Sequence, residues 1–255
     1  MHSYRPANAR QRFLLATDID GTLLGDNAGE EAFRLFVSNY PDSLWFAAMT
    51  GRTRRSVEDL VATGRLPQPH YIVGSVGTDL TDCHDPANLM GARWRKRVSP
   101  QWDVESIYTI GEGDGVVRQV FSEAQPPFHA AFMWDGRDES LDAFRTRMAA
   151  AQECRIIASH RRYIDVLPTG VGKGDAVTFL QSELSVDRER VVVAGDSGND
   201  CELFEAGFPG VVVANAQEEI LACIREPFHY RSGLPGARGV LDGLEHFGLV
   251  TRAAE

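Results

Sequence analysis

Acidic residues follow two apolar stretches of this sequence, at points where a buried strand would end. Asp18 and Asp20 come directly after "FLLAT", and Asp196 and Asp200 follow "RVVVAG". Two carboxylates that are separated by one residue on an extended chain lie on the same side and repel each other. A cation relieves this repulsion, and oxygen ligands without a histidine or cysteine cluster favour Mg²⁺ over zinc. The pattern therefore predicts a magnesium site, and the ion would also bring a phosphate to the acids.

Two further segments carry groups that suit a phosphate. Lys173 in "TGVGKGDAV" stands at the start of a predicted helix, where its ammonium can reach a phosphate oxygen. Thr50 in "MTGRT" offers a hydroxyl and a backbone N–H, again just before a predicted helix. Backbone N–H groups at helix starts bind anions well, so both segments are typical of a phosphate site.

The elements that must position these residues alternate between strand and helix. Apolar stretches such as "RFLLATD", "SLWFAAMTG" and "RVVVAGDSGND" read as strands, and "GEEAFRLFVSNY" and "GDAVTFLQSEL" read as helices. Unbroken Val, Ile and Leu strands favour a parallel sheet covered on both faces. In such sheets ligands bind outside the carboxyl ends of the strands, which is where the acids, Thr50 and turn glycines fall. The predicted core is a Rossmann-like α/β fold.

The middle of the chain has a different character. The segments "RWRKRV", "GVVRQVFSE", "FHAAFMWDG" and "RRYIDVLP" show the alternation of half-exposed antiparallel strands, and "DESLDAFRTRMAAAQ" reads as an amphipathic helix. We therefore predict an inserted α+β cap at residues 86–167. The catalytic core would then comprise residues 1–85 and 168–255.

Composition excludes several classes of protein. The 255 residues are 43% hydrophobic and 24% charged, as in ordinary globular proteins, and the net charge of −10 argues against general nucleic-acid binding. No stretch has the ~20 apolar residues that cross a bilayer, and the polar N-terminus does not resemble a signal peptide. We expect a cytoplasmic protein whose four cysteines are reduced, because they show no CxxC spacing.

Taken in order, "DIDGT", "TGR", a lone lysine heading a helix and "GDSGND" resemble the four motifs of the haloacid dehalogenase superfamily. The insertion after the second motif resembles the subclass with an α/β cap. The resemblance implies that Asp18 is the nucleophile that forms an aspartyl-phosphate. Asp20 would protonate the leaving alkoxide and later deprotonate water, while Thr50 and Lys173 would hold the phosphoryl group.

The resemblance also implies the metal ligands. Mg²⁺ would be held by the Asp18 carboxylate, the Asp20 backbone carbonyl and Asp196, with Asp200 bound indirectly or through water. The acid at position 20 narrows the class of enzyme. The dehalogenases of the superfamily lack a second Asp and its transport ATPases carry Thr there, so Asp20 implies a phosphatase or a phosphomutase.

Several longer segments, among them "RYIDVLP", "VAGDSGND" and "GVVVANAQEEIL", are similar to the sucrose-phosphate phosphatase family. This resemblance implies a sugar-phosphate substrate, either sucrose 6-phosphate or mannosylfructose phosphate, with the sugar held between core and cap. The positions expected near substrate are Thr50, Gly51, Arg52, Arg54, Arg162, Asp165, Lys173 and Asn199.

Other readings remain open at this point. Arg52 either contacts substrate or bridges to an acid, and Trp94, Trp102 and Trp134 either stack on a sugar or pack in the interior. The enzyme could instead act on another sugar phosphate or be a hexose phosphomutase with a second phosphate site in the cap. An alternative of another class is a non-catalytic partner of a glycosyl-phosphate synthase, and such a synthase is also a possible partner of the active enzyme.

Overall fold

The computed structural model describes residues 4–8, 11–97, 102–119 and 126–252. Within these ranges the strands are β1 Tyr4–Pro6, β2 Phe13–Thr17, β3 Leu44–Met49, β4 Tyr71–Gly74, β5 Asp79–Asp82, β6 Val116–Arg118, β7 Ala130–Trp134, β8 Arg155–Ser159, β9 Tyr163–Leu167, β10 Val191–Gly195, β11 Gly210–Val212, β12 His229–Arg231 and β13 Val250–Arg252. The α-helices are α1 Asn27–Asn39, α2 Arg54–Ala62, α3 Leu89–Arg95, α4 Val104–Gly111, α5 Asp138–Ala151, α6 Lys173–Glu183, α7 Cys201–Glu205 and α8 Gly236–His246. None of the helices in the described ranges combines the length and the apolar character that crossing a membrane requires.

Seven strands form the central sheet in the order β12-β11-β10-β2-β3-β4-β5. Neighbouring strands are parallel except β4 and β5, which are antiparallel. β2 and β10 lie side by side, and every residue in both is buried. Such unbroken apolar strands belong in a sheet that is covered on both faces. The predicted parallel-sheet core is confirmed, with β5 as an antiparallel edge strand that the sequence did not predict.

Helices cover the two faces of this sheet, and alternate residues of β2 point to each side. Leu15 belongs to one buried cluster with Phe33 of α1 and Val240 of α8. Its neighbour Leu14 belongs to the other cluster with Val177 of α6. The two layers of side chains hold the carboxyl ends of the central strands in fixed positions.

A second, four-stranded antiparallel sheet has the order β6-β7-β9-β8. Its buried cluster joins Phe132 of β7 and Ile164 of β9 to Tyr108 of α4 and Phe144 of α5. The Phe132 and Phe144 rings meet edge to face, with centroids 5.1 Å apart. An inserted α+β cap is therefore present, and the predicted helix over 138–152 is confirmed as α5. Strand β8 and helix α4 were not predicted.

The segment "RWRKRV" is not the strand that its alternation predicted. Residues 93–95 lie in α3, which packs against β5 of the central sheet, while residue 98 lies outside the described residues. Trp94 is fully buried in a core cluster and donates its Nε1–H to the Gly77 carbonyl over 3.0 Å. The helix thus packs on the core although it falls within the expected cap. The division of the chain stays a prediction, and this packing favours a cap that begins after residue 97.

One glycine allows the lysine motif to approach the sheet. Gly77 has φ +100°, a conformation that residues with a side chain rarely adopt. A Cβ atom there would lie 2.1 Å from the Gly172 carbonyl carbon and 2.4 Å from the Lys173 nitrogen. Only a residue without a side chain therefore lets the start of α6 pack against the turn after β4.

The expectation for the cysteines is half wrong. Cys83 and Cys154 are free thiols, as expected. Cys201 and Cys223, however, form a disulfide across 22 residues of sequence. It joins the start of α7 to the 3₁₀ helix Glu218–Cys223.

Candidate active site

Three motifs meet at the carboxyl ends of adjacent strands. Asp196 follows β10, Asp18 follows β2 and Thr50 follows β3, and these strands are neighbours in the sheet. The backbone N–H of Asp18 donates to the Ala194 carbonyl over 2.9 Å, which fixes the end of β2 beside β10. The chain leaves β2 toward β3 on one side and reaches β10 on the other, so a crevice opens at this switch point.

Lys173 is completely buried behind this crevice. Its Nζ donates to Asp18 Oδ1 over 2.8 Å and to Asp200 Oδ1 over 2.6 Å. Burial alone lowers the pKa of Lys173, but the charges of Asp18 and Asp200 outweigh burial and raise that pKa above its usual value. The ammonium is therefore charged and holds the Asp18 carboxylate in one orientation.

Three buried carboxylates share the space beside this ammonium. One oxygen from each of Asp18, Asp196 and Asp200 lies within 4.8 Å of the others. Burial is the main cause, and the nearby Asp200 charge the second, that raises the pKa of Asp18 well above its usual value. The same two causes raise the pKa of Asp196 to about 7. One lysine does not neutralise three carboxylates, and an uncompensated buried charge is costly. The excess negative charge and the oxygen donors fit a divalent hard cation.

Asp200 organises the loop that carries Asp196. Its Oδ2 accepts the backbone N–H groups of Asp196 and Ser197 over 3.0 and 3.2 Å, while its Oδ1 accepts from Lys173. Both oxygens are thus committed to hydrogen bonds within the protein. The Asp196 carboxylate is held separately, because the Thr22 hydroxyl donates to its Oδ1 over 3.0 Å.

Asp20 has a different environment from the buried acids. Its side chain is 53% exposed and accepts two hydrogen bonds from Arg52, from Nε to Oδ2 and from Nη2 to Oδ1, each 2.7 Å long. Arg52 also donates from Nη1 to the Ser56 hydroxyl over 2.9 Å. Of the two roles considered for Arg52, the structure shows the bridge to an acid.

Thr50 lies at the floor of the crevice, and its surroundings correct one expectation. Its backbone N–H donates to the Val73 carbonyl over 2.9 Å and so continues the sheet, which removes it as a phosphate donor. Helix α2 begins only at Arg54, with Thr53 as its N-cap. The hydroxyl of Thr50, which accepts the Arg52 backbone N–H over 3.1 Å, is the group that remains for a phosphate.

A cleft of about 490 Å³ lies between the acids and the second sheet. On the core side its lining includes Asp18, Asp20, Thr50, Gly51, Arg52, Ser197 and Asn199. On the cap side it includes Gln119, His129, Ser159, His160, Tyr163 and Asp165. The first wall carries the charged chemistry, and the second carries amide, hydroxyl and imidazole groups with one carboxylate.

That carboxylate is held by a histidine. His129 Nε2 lies 2.7 Å from Asp165 Oδ1, and both residues are buried. Asp165 is in β9, directly opposite Ala131 of β7, and His129 comes just before β7. The cap sheet thus presents Asp165 to the cleft in a fixed position.

Comparison with known families agrees with this geometry. The family model described as sucrose-6F-phosphate phosphohydrolase matches residues 11–248. The chain belongs to this family. Mannosylfructose-phosphate phosphatase of Agrobacterium fabrum is 31% identical over 260 residues, which cover 94% of this chain and 98% of that protein. Sucrose-phosphatase 2 of Nicotiana tabacum is 28% identical and covers 82% of this chain, which spans only 52% of the longer tobacco protein.

A solved structure extends the comparison to three dimensions. The sucrose-phosphatase from Synechocystis sp., crystallised in complex with sucrose and phosphate, superposes with a TM-score of 0.83 at 27% sequence identity. The match covers 93% of this chain and 98% of that one. Core and cap are therefore arranged in this family member much as in that enzyme.

The structure brings together most, but not all, of the predicted substrate-side residues. Gly51 and Asn199 line the cleft, as do Thr50, Arg52 and Asp165. Lys173 lies behind Asp18 without any exposed surface. Arg54 instead pairs with Glu58 at 2.7 Å, and Arg162 is exposed with its guanidinium 5.5 Å from the Tyr163 ring. Arg54 and Arg162 do not line the cleft.

Other lining residues were not predicted, although a signal existed for some of them. Tyr163 stands two residues before Asp165, and His129 stands two residues before Ala131, which pairs with Asp165. Side chains two residues apart on a strand share a face, so the prediction of Asp165 also implied Tyr163. His129 could not be found this way, since pairing of β7 with β9 is not visible in the sequence.

Proposed function

We propose that this protein is a metal-dependent phosphatase that removes phosphate from a disaccharide phosphate. The observation that supports the proposal best is the composition of the cleft. Its core wall includes Asp18, behind which Asp196, Asp200 and Lys173 form a buried charged cluster, and a largely neutral, hydrogen-bonding surface forms its cap wall. A phosphate group fits the first wall when a cation is bound, and sugar hydroxyls fit the second.

In this proposal Asp18 is the nucleophile. One of its carboxylate oxygens attacks phosphorus while the bond to the sugar oxygen breaks, which gives an aspartyl-phosphate and a free alcohol. Lys173 holds the carboxylate in place through its 2.8 Å hydrogen bond, and the Thr50 hydroxyl donates to a phosphoryl oxygen. Phosphoryl transfer needs mainly this positioning and charge stabilisation.

Asp20 moves the protons. It gives a proton to the leaving alkoxide and then takes one from the water that hydrolyses the aspartyl-phosphate. Hydrolysis releases inorganic phosphate and regenerates the Asp18 carboxylate. Each oxygen of Asp20 accepts one hydrogen bond from Arg52 and keeps a second lone pair, but the adjacent guanidinium favours the charged carboxylate, so protonation of Asp20 is easier once Arg52 moves away. Arg52 lines the same cleft, and the arriving substrate offers its guanidinium other acceptors.

The residues that would hold Mg²⁺ are Asp18, Asp196 and the backbone carbonyl of Asp20. The ion would neutralise the excess charge of the carboxylates and of the phosphoryl oxygens. Asp200 supports it indirectly, because both of its oxygens already hold Lys173 and the loop that carries Asp196.

The substrate class follows from the cap wall and the relatives. One relative, mannosylfructose-phosphate phosphatase, is named for a disaccharide phosphate. The solved sucrose-phosphatase structure contains the disaccharide sucrose together with phosphate. A cleft of about 490 Å³ lies within the range of small-molecule sites, roughly 300–1,000 Å³. Sucrose 6-phosphate and mannosylfructose phosphate are both candidate substrates, and their remote sugar ring would supply binding energy that orients the ester.

The hexose phosphomutase reading is less well supported. It requires a second phosphate site in the cap, yet the described part of the cap wall contributes no lysine or arginine to the cleft and does contribute Asp165. The non-catalytic reading is also weak, because the acids, Thr50 and Lys173 are all present and placed together. Association with a glycosyl-phosphate synthase and a cytoplasmic location remain predictions.

The test is phosphate release from a panel that contains both disaccharide phosphates, hexose phosphates and nucleoside monophosphates, with magnesium or with a chelator. We expect the highest kcat/KM on a disaccharide phosphate and no turnover with the chelator. A nucleotide as the best substrate, or interconversion of hexose phosphates without phosphate release, would refute the proposal.

A further inference from the structure

Cap strand β8 lies directly against the acidic loop of the core and is fastened near both ends. At its start, Arg155 Nη1 lies 2.9 Å from Asp175 Oδ2 of α6 and 2.8 Å from Glu202 Oε1 of α7. Just past its end, the backbone N–H of His160 donates to Glu219 Oε2 over 3.0 Å. Glu219 belongs to the core, in the 3₁₀ helix Glu218–Cys223. A core carboxylate thus holds the tip of the β8–β9 hairpin.

Gly198 of the "GDSGND" loop marks the place where these parts meet. A Cβ atom on Gly198 would lie 2.8 Å from Glu219 Oε2 and 3.0 Å from the Ala158 carbonyl of β8. The missing side chain therefore admits both the carboxylate and the cap strand. The same loop carries Asp196 and Asp200, so the hairpin tip is placed relative to the acidic cluster itself.

The hairpin tip is a strained turn that contributes to the cleft. His160 and Arg161 have φ of +54° and +47°, values that non-glycine residues seldom adopt. The Arg162 backbone N–H closes the turn on the Ser159 carbonyl over 3.1 Å. Ser159, His160 and Tyr163 all line the cleft. Because the turn is strained, its conformation needs support from outside the hairpin.

The support comes from a well-anchored element. The disulfide from Cys223 to Cys201 ties the 3₁₀ helix that carries Glu219 to the start of α7. The backbone N–H of Gln217, just before this helix, donates to the Asp196 carbonyl over 2.7 Å. Glu219 is therefore fixed on the core side, and its hydrogen bond transmits that position to His160.

We propose that Glu219 is a positioning residue for the sugar part of the substrate. It holds the β8–β9 tip so that Ser159, His160 and Tyr163 face the sugar, and it takes no part in phosphoryl transfer. This inference rests on the proposed function, since it assigns the cap wall to a sugar.

The test compares Glu219→Ala, Glu219→Asp and Glu219→Gln with Glu218→Ala as a matched control, because Glu218 is an exposed acid in the same helix turn. A lost hydrogen bond to a charged group predicts a rise of about tenfold in KM for the disaccharide phosphate. The Ala and Asp variants should show this rise with little change in kcat, since Asp is too short to reach His160. Gln keeps an acceptor and should restore most of the affinity, and the control should match wild type.

Two further measurements separate positioning from a general structural role. Turnover of p-nitrophenyl phosphate, which has no sugar, should be the same in all variants, and the thermal unfolding temperature checks that each is folded. Equal KM values for wild type and the folded Ala or Asp variants would overturn the inference. An equal loss on both substrates would also overturn it. A wild-type enzyme that hydrolyses no disaccharide phosphate would instead overturn the proposed function, and the inference with it.

Discussion

Replacing the buried lysine tests the electrostatic basis of the site. Lys173 is one of two lysines in the chain, and its ammonium contacts Asp18 and Asp200 at 2.8 and 2.6 Å. Lys173→Met keeps the length of the side chain and removes the charge. Lys96→Met is a matched control, because Lys96 is exposed.

The size of the effect follows from the contacts. A unit charge pair at these distances interacts by about 6 kcal/mol at an effective dielectric constant of about 20. Desolvation of the ammonium offsets much of this, and removing one partner of a buried pair typically costs about 3–5 kcal/mol. The raised pKa of Asp18 lets this carboxyl take up a proton once the ammonium is gone, which favours the lower end of the range.

The assay is urea unfolding at neutral pH in the presence of a chelator, together with phosphate release. Lys173→Met should lower the free energy of unfolding by about 3 kcal/mol and abolish turnover, whereas Lys96→Met should change the free energy by less than about 0.5 kcal/mol. Magnesium should recover part of the lost stability, since the carboxylates then regain a cation. A loss below about 1 kcal/mol would show that the ammonium is not the main compensating charge.

Three further predictions address the acids and the backbone. Asp18→Asn should reduce turnover to background, since the nucleophile is lost, while calorimetric binding of the free disaccharide product stays within about threefold of wild type. Turnover within tenfold of wild type would contradict this role. Burial and the Asp200 charge raise the pKa of Asp196 from 3.8 to about 7. In the metal-free protein the folded state therefore keeps this proton at pH values where the unfolded chain has lost it, so the free energy of unfolding falls as pH rises from 3.8 to about 7. Asn cannot ionise, so in urea unfolding Asp196→Asn should gain stability relative to wild type as pH rises from 3.8 to about 7. A difference in unfolding free energy that does not change with pH would argue against the raised pKa. Gly77→Ala should lower the free energy of unfolding by at least about 2 kcal/mol. Gly64 also has a positive φ but has open space around it, so Gly64→Ala should cost only about 1 kcal/mol. Equal losses would exclude a clash between a Cβ at residue 77 and the backbone of the lysine motif.

The sequence predicted the core of the site because short motifs follow buried strands directly. Asp18, Thr50 and Asp196 each come next after a strand, and a parallel sheet brings its carboxyl ends to one edge whatever the rest of the chain does. Lys173 was placed by a different pattern, the helical periodicity of the segment that it begins, and it does start α6. These positions depend only on local pattern and on one general rule of sheet geometry.

The errors arose where packing over long distances decides. The alternation in residues 93–98 indicated a strand, but Trp94 docks in the core and keeps its segment helical. Cys201 and Cys223 meet only because α7 and the following 3₁₀ helix pack together. Neither contact has a signature in the spacing of the residues.

The two walls of the cleft explain how one site can be both reactive and selective. The core wall concentrates charge, and any phosphate ester that meets a bound cation there can approach Asp18. In the proposed function, selectivity comes from the cap wall, because its hydrogen bonds to a remote sugar ring stabilise the transition state only when the wall is correctly placed. Arg155 ties that wall to α6 and α7 of the core, and Glu219 holds its hairpin tip beside Gly198 of the loop that carries Asp196 and Asp200. The wall proposed to choose the sugar and the acids proposed to transfer the phosphoryl group are thus held by neighbouring elements of the same core.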